Sequence, residues 1–186
     1  LIANALIHQD FGVGGAGPTV EIFSDRLEVT NPGRPLIDPS RFIDEPPRSR
    51  NEALASVMRR VNICEERGSG IDKVVSQVEF HQLPPARVEV HDAQTQVTIY
   101  APKALAQMDK PERILAVYQH ACLRWVSNLP TNNASVRGRL GISDRNKAQA
   151  SRIIKEAVDD GAIVSYDPSV GPRSLRYVPS WAAPER

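Results

Sequence analysis

The chain has 186 residues, 41% hydrophobic and 24% charged, with a net charge of +1. That is enough apolar mass for one large or two small cored domains, and it excludes a disordered composition. No apolar run approaches the roughly 20 residues that span a bilayer, and no basic-then-apolar leader opens the chain.

Two cysteines, Cys64 and Cys122, lie in separate segments. They argue against a disulfide framework and for a reducing, cytoplasmic compartment. The charge is uneven. Residues 1–102 hold 10 Lys+Arg against 14 Asp+Glu, and residues 103–186 hold 13 against 8. The C-terminal half is therefore the part suited to a polyanion.

In chain order, residues 1–8 read as the end of an apolar helix. It has no cap and no initiator Met, which is the pattern of a fragment of a longer chain. A glycine-rich loop follows from Gly12 to Gly17. Residues 19–23 and 27–30 alternate like two strands, and Asn31-Pro-Gly-Arg-Pro is expected to break the second. Residues 34–51, rich in Pro and Arg, read as a long mobile loop. A helix is predicted over 52–64 with Leu54, Val57, Met58 and Val61 on one face, and another from about Ser69 to Phe80. Residues 87–90 and 96–100 suit a hairpin.

Pro102 and Pro111 bracket a linker, 103–110, between a domain at 1–102 and a second at 111–182, with 183–186 as a tail. The second domain reads as a helix with Ile114, Leu115, Tyr118, Cys122 and Trp125 on one face. A short helix over 134–140 ends at Gly141, and a third over 145–160 ends at Gly161. Strands over 163–166 and 174–178 follow. This is the order of a winged helix-turn-helix.

On a helical wheel the third helix places Ala150, Ile153, Ile154, Ala157 and Val158 inward. Its outward N-terminal half is basic and amide-bearing, whereas Glu156, Asp159 and Asp160 crowd the far end. Recognition helices present N-terminal residues to the major groove. Arg145, Lys147, Gln149, Ser151 and Arg152 are the candidate DNA contacts, and Arg173 and Arg176 are placed on the wing. Protein contact, with the charges as a solvated face, is the competing reading.

Other chemistries find no support. The four histidines have no zinc-ligand spacing, no Gly-x-Ser-x-Gly elbow is present, and the glycines are not followed by a Walker Lys-Ser/Thr. Cys64, Cys122, Tyr118 and Trp125 read as core.

The first domain resembles the ATP-binding fold of gyrase-type ATPases and sensor histidine kinases. The likeness lies in the order: Asn on a helix, a strand pair, a Gly-bearing loop, a long loop, then Gly-x-Gly opening a helix. Across nearly its whole length the chain is similar to one bacterial family. Its members are transcriptional regulators with a divergent histidine-kinase-like ATPase domain, often labelled RecG-like ATP-dependent DNA helicases. The stretches that carry the likeness include Asn4-Ala-Leu-Ile-His-Gln-Asp, Asp25-Arg-Leu-Glu-Val-Thr-Asn-Pro-Gly, Glu66-Arg-Gly-Ser-Gly-Ile and Arg176-Tyr-Val-Pro-Ser-Trp.

The resemblance implies an α+β chain: an α/β-sandwich ATPase domain followed by the winged helix. It implies ATP and Mg²⁺ as cofactors, with Asn4 as the magnesium ligand. Asn31 and Gly33 would occupy the adenine loop, and Gly68, Ser69 and Gly70 the phosphate loop. No carboxylate neighbours Asn31 in sequence, and Asp72 stands where such ATPases often have Gly. The general-base Glu of that fold would fall upstream of residue 1, so hydrolysis is not expected of this chain. The expectation is a homodimeric, double-stranded-DNA-binding regulator. A DNA-linked ATPase and a protein-interaction module are the alternatives.

Overall fold

Alternating apolar and polar residues build a four-stranded antiparallel sheet from β1 (Thr19–Ile22), β2 (Arg26–Pro32), β3 (Arg87–His91) and β4 (Gln94–Tyr100), in the order β1-β2-β4-β3. Register aligns Val20, Val29, Val97 and Val88 on one face, with Ile22, Leu27 and Ile99 beside them. Side chains alternate across a pleat, so Glu21, Glu28, Thr98 and Arg87 share the other face. The computed structural model describes residues 1–15, 17–46, 48–64, 70–171 and 174–184. They divide into two units, Leu1–Gln77 with Ala86–Ala101 and Val78–Pro85 with Pro102–Arg186. The architecture is α+β with antiparallel sheets. Among the described residues no helix is long and apolar enough to cross a membrane.

The first unit adds α1 (Ile2–His8), α2 (Glu52–Arg60) and most of α3 (Gly70–Phe80). Ile7, Ala55 and Met58 form a buried cluster, with Ala3, Leu54 and Cys64 packed against it. Two expectations change here. Strand β2 does not break at Asn31 but continues through Pro32. Strand β1 pairs only as far as Thr30, so Pro32 borders no strand on that side, and its missing N–H costs no ladder bond. Helix α2 ends at Arg60, because Asn62 takes φ 57° and the Ile63 and Cys64 amides turn back to the Met58 carbonyl. Its buried side is Ala55 and Met58, and Val57 and Val61 face outward.

The stretch 34–51 is more organised than a loose loop. Asp38 caps a 3₁₀ turn at Pro39–Arg41, Arg41 pairs with Asp44, and Ile43 is buried.

The second unit is three helices and a hairpin: α4 (Lys110–Val126), α5 (Asn133–Leu140), α6 (Lys147–Asp159), β5 (Ile163–Ser165) and β6 (Tyr177–Pro179). Thr131 bridges to Tyr177. Asp109 and Glu112 close a capping box on α4, and Asn132 and Ser135 do the same on α5. Gly141 ends α5 at φ 62°, where a side chain is disfavoured, and Ile142 donates back to the Arg137 carbonyl at 2.9 Å. Val117, Ala121, Val136, Leu140, Ala150, Ile153, Ile154, Ala157 and Ile163 form one core.

The third helix was expected from Arg145. The chain instead makes a 3₁₀ turn at Asp144–Asn146 before α6 starts at Lys147. Val158 and Trp125, read as core, are partly exposed, and Trp125 packs edge-on against Trp181. Strand β6 begins at Tyr177 rather than Ser174.

Val78–Pro85 belongs with the second unit rather than with residues 1–77. Polar groups hold it there. Glu79 Oε1 lies 2.8 Å from Nδ1 of the buried His120, and Arg139 donates to the Leu83 carbonyl at 2.9 Å. Gln82 donates to the Gly138 carbonyl at 3.3 Å. Removing one partner of a buried polar pair costs more than the pair contributes, since the other is left desolvated. Glu79→Ala is therefore expected to destabilise the second unit by about 2 kcal/mol. Glu21→Ala, on the exposed edge strand, is expected to stay within about 0.5 kcal/mol of the parent. Urea unfolding followed by tryptophan fluorescence checks the first, because Trp125 and Trp181 lie in this unit, and far-ultraviolet circular dichroism checks the second; a midpoint for Glu79→Ala equal to the parent's would refute the role of Glu79.

Candidate functional site

In the first unit, Asn4 and Gly70 come together. A Cβ added to Gly70 would sit 2.7 Å from Asn4 Nδ2, so a side chain there would force the Asn4 amide to shift from the start of α3. Gly68 and Ser69, the other two expected phosphate-loop residues, lie outside the described residues. Asp72, in the first turn of α3, has a buried Oδ1 with no hydrogen-bond partner among the described residues. Burial, reinforced by the nearby Asp44 charge, pushes its carboxyl above the usual range.

The expected adenine loop is closed by Asp10, which reads from sequence as a surface residue. Asp10 donates its amide to the Pro32 carbonyl at 2.8 Å, and Gly33, at φ 104°, packs so tightly on Asp10 that an added Cβ would lie 2.8 Å from the Asp10 Cβ. Asp10 Oδ1 accepts from the Gly12 amide at 2.9 Å, and Oδ2 from Arg50 at 3.1 Å. Arg50 also donates to the Arg34 carbonyl. A carboxylate thus does stand at this strand end, contributed from beyond α1. Asn31 is buried, and its amide turns to the Pro32 carbonyl at 3.4 Å. Burial, and then the Arg50 charge, hold the His8 imidazole below its ordinary range.

In the second unit the candidate DNA contacts differ in availability. Arg145, Lys147, Arg152 and Arg176 are exposed and have no ion-pair partner among the described residues. Gln149 is half-buried. Ser151 is exposed but engaged, its Oγ accepting from Asn133 Nδ2 at 2.9 Å and donating to the Lys147 carbonyl at 3.3 Å. Asn133 also donates to the Lys147 carbonyl and accepts from Arg137 Nε, and Arg137 pairs with Asp144. Asn133 and Arg137 are thus positioning residues that hold α6 against α5. Their only sequence signal was their place on the second helix of the trio. Arg173 lies outside the described residues.

Residues 15–99 match the family described as "Putative ATP-dependent DNA helicase recG C-terminal". The match falls mostly within the first unit and spans its four-stranded sheet. No curated protein matches the chain. Among solved structures it is similar to the DIP2311 protein from Corynebacterium diphtheriae, at 15% identity and a TM-score of 0.48, covering 95% of this chain and 48% of that one. The chain thus spans about half the length of that protein.

The resemblance drawn from the sequence implies ATP with magnesium, and the residues meet that requirement only in part. Asn4 and Gly70 adjoin as a metal-binding Asn and a phosphate-loop Gly would. At the adenine end, Asn31 is turned inward, Gly33 is covered by Asp10, and both Asp10 oxygens are engaged. Among the described residues no group of three His, Cys, Asp or Glu could hold a metal ion. This donor set does not fit an adenine receptor.

The His8 environment makes a pH prediction. The folded pKa of His8 lies below the ordinary histidine value of 6.5, so the unfolded chain binds the extra proton first. The stability contributed by neutral His8 is complete above about pH 6.5 and is lost as pH falls through the depressed folded pKa. Asp72 has the opposite sign, its raised pKa favouring the fold at lower pH. The parent should therefore lose more stability between pH 7 and 5 than His8→Gln does. Parallel unfolding free energies for the two across that range would contradict the burial of His8.

Proposed function

We propose that this chain is a DNA-binding transcriptional regulator. The second unit is a winged helix-turn-helix whose α6 enters the major groove, and the first unit is a degenerate ATP-binding-like domain. The observation that carries the reading is the distribution of free cations. Six of the eleven described Lys and Arg side chains of the second unit are engaged locally. Lys103 pairs with Glu112, Arg113 with Glu156, Arg137 with Asp144 and Lys155 with Asp159. Arg124 donates to the Pro130 carbonyl, and Arg139 is buried. Among the described residues, those left free are Lys110, Arg145, Lys147, Arg152 and Arg176, and three of these five stand on α6 or the turn leading into it. Cations without internal partners are the ones that release counterions from a phosphate backbone at no cost in ion pairs. The regulator would work in the cytoplasm, where its free cysteines Cys64 and Cys122 stay reduced. Two copies would sit on a near-palindrome, with half-sites about one helical turn or a multiple apart.

The word helicase in the family description is not carried over. The 186 residues contain no Walker loop to couple nucleotide hydrolysis to translocation. In this reading the ATPase-like unit supports the regulator, and ATP turnover is not its task.

Fluorescence anisotropy with a random-sequence duplex at two salt concentrations tests the DNA reading. Lys147→Ala is expected to weaken binding to all duplexes alike and to reduce the salt slope by about one phosphate contact. Weak binding without salt dependence, equal for parent and variant, would assign the second unit to protein contact instead. Phosphate release from ATP with magnesium, with and without duplex, is expected to stay at the buffer rate. Turnover that Asn4→Ala abolishes would overturn the assignment of the first unit as degenerate.

A further inference from the structure

The outward ridge of α6 is narrower than its composition implies. At 100° per residue, Ala148, Arg152, Lys155 and Asp159 fall along one line. Lys155 and Asp159 pair with each other at 3.0 Å, which closes the C-terminal half of that line as a self-neutralised couple. Glu156, on the flank, lies 3.6 Å from Arg113. Ser151 is held by Asn133, and Gln149 is half-buried. Lys147 is exposed but lies about 100° round from Ala148. Arg145 precedes the helix on the Asp144–Asn146 turn. What remains on the ridge is an exposed methyl, Ala148, one turn before an exposed, unpartnered guanidinium, Arg152.

From this placement, and resting on the DNA-binding reading above, we infer that base recognition by α6 is confined to Ala148 and Arg152. Together they select a guanine and a thymine within about two base pairs of each other. The chemistry is specific at both positions. The planar fork of Arg152 matches the O6 and N7 acceptors of guanine and neither the N6 donor of adenine nor the N4 donor of cytosine. Ala148 offers no hydrogen-bonding group. Its methyl lets the helix approach closely, and its apolar partner in the major groove is the C5-methyl of thymine. Residues four apart rise about 6 Å along a helix, and successive base pairs are about 3.4 Å apart. That rise sets the spacing of the two bases. Arg145, before the helix, and Lys147, off the ridge, are left for phosphates, where they contribute affinity without sequence.

The test uses the whole chain. Selection from a randomised duplex pool is expected to enrich a G and a T at that spacing in each half-site. Anisotropy on the selected duplex then takes single-atom changes. Replacing the guanine by 7-deazaguanine, which removes N7, is expected to weaken the parent about 10-fold, and to have no further effect on Arg152→Ala. Arg152→Lys keeps the charge and loses the fork. It is expected to retain the salt slope while losing the preference for guanine, and so distinguishes reading from charge. Replacing the thymine by uracil, which removes only the methyl, is expected to weaken the parent a few-fold and to leave Ala148→Ser unmoved. Circular dichroism establishes that each variant is folded. Enrichment of another pair, or additive losses for 7-deazaguanine and Arg152→Ala, would overturn this inference while salt-dependent binding left the DNA reading standing. No salt-dependent binding to any duplex would overturn both.

Discussion

The first unit depends on the meeting of Asp10 with Gly33. Residue 33 must be glycine twice over: its φ of 104° disfavours a side chain, and the Asp10 Cβ fills the space one would need. That close approach joins the end of α1 to the end of β2, and the Asp10 amide completes the join at the Pro32 carbonyl. Arg50 then brings the residues before α2 to the same carboxylate, and Asn51 donates to the Ile7 and Gln9 carbonyls at 2.9 and 2.8 Å. Carbonyls at and just after the end of α1 are thus satisfied by the residue that precedes α2. The same closure leaves each oxygen of the carboxylate at this strand end already accepting one hydrogen bond.

The second unit solves a different problem, which is to hold one helix rigidly while leaving its outer side bare. The inner side of α6 buries Ala150, Ile153, Ile154 and Ala157. The small residues among these let α6 lie close to its neighbours, and the β-branched ones fix rotamers there. Asn133 and Arg137 on α5 take up the polar groups at the start of α6, so the turn between the helices is held by side chains as well as by the left-handed Gly141. Under the proposed DNA-binding reading, that rigidity would serve a side chain that reads base edges, which is useful only when its own backbone is fixed.

Periodicity made the elements legible, and pairing across long separations did not. The helices of the second unit followed from their apolar spacing and from Gly141 and Gly161, both at positive φ. The strands followed from alternation. Asp10 escaped because its partners are Gly33 and Arg50, and the ion pair with Arg50 spans 40 residues. Glu79 and His120, 41 residues apart, escaped for the same reason, and with them the assignment of Val78–Pro85 to the second unit. The extension of β2 through Pro32 depends on where the neighbouring strand stops, which no local rule encodes. Ser151 looked like a free hydroxyl on a wheel, yet Asn133 from another helix engages it.

The charge balance shows why a sequence count is a blunt guide to a polyanion surface. Residues 103–186 carry five more basic than acidic side chains, yet that excess is not the quantity a phosphate backbone meets. A cation already paired with a carboxylate must give up that pair to engage a phosphate, and exposed pairs such as Lys155 with Asp159 contribute little on their own. Their effect is spatial: they remove the C-terminal half of α6 from competition and leave the field to its start. A buried guanidinium such as Arg139 counts toward the net charge and is unavailable to any ligand; burial even lowers its pKa. The effective surface is therefore set by which cations the fold leaves unpaired. A substitution that frees a paired cation, such as one at Asp159, would extend the basic surface along α6 without adding a single positive charge.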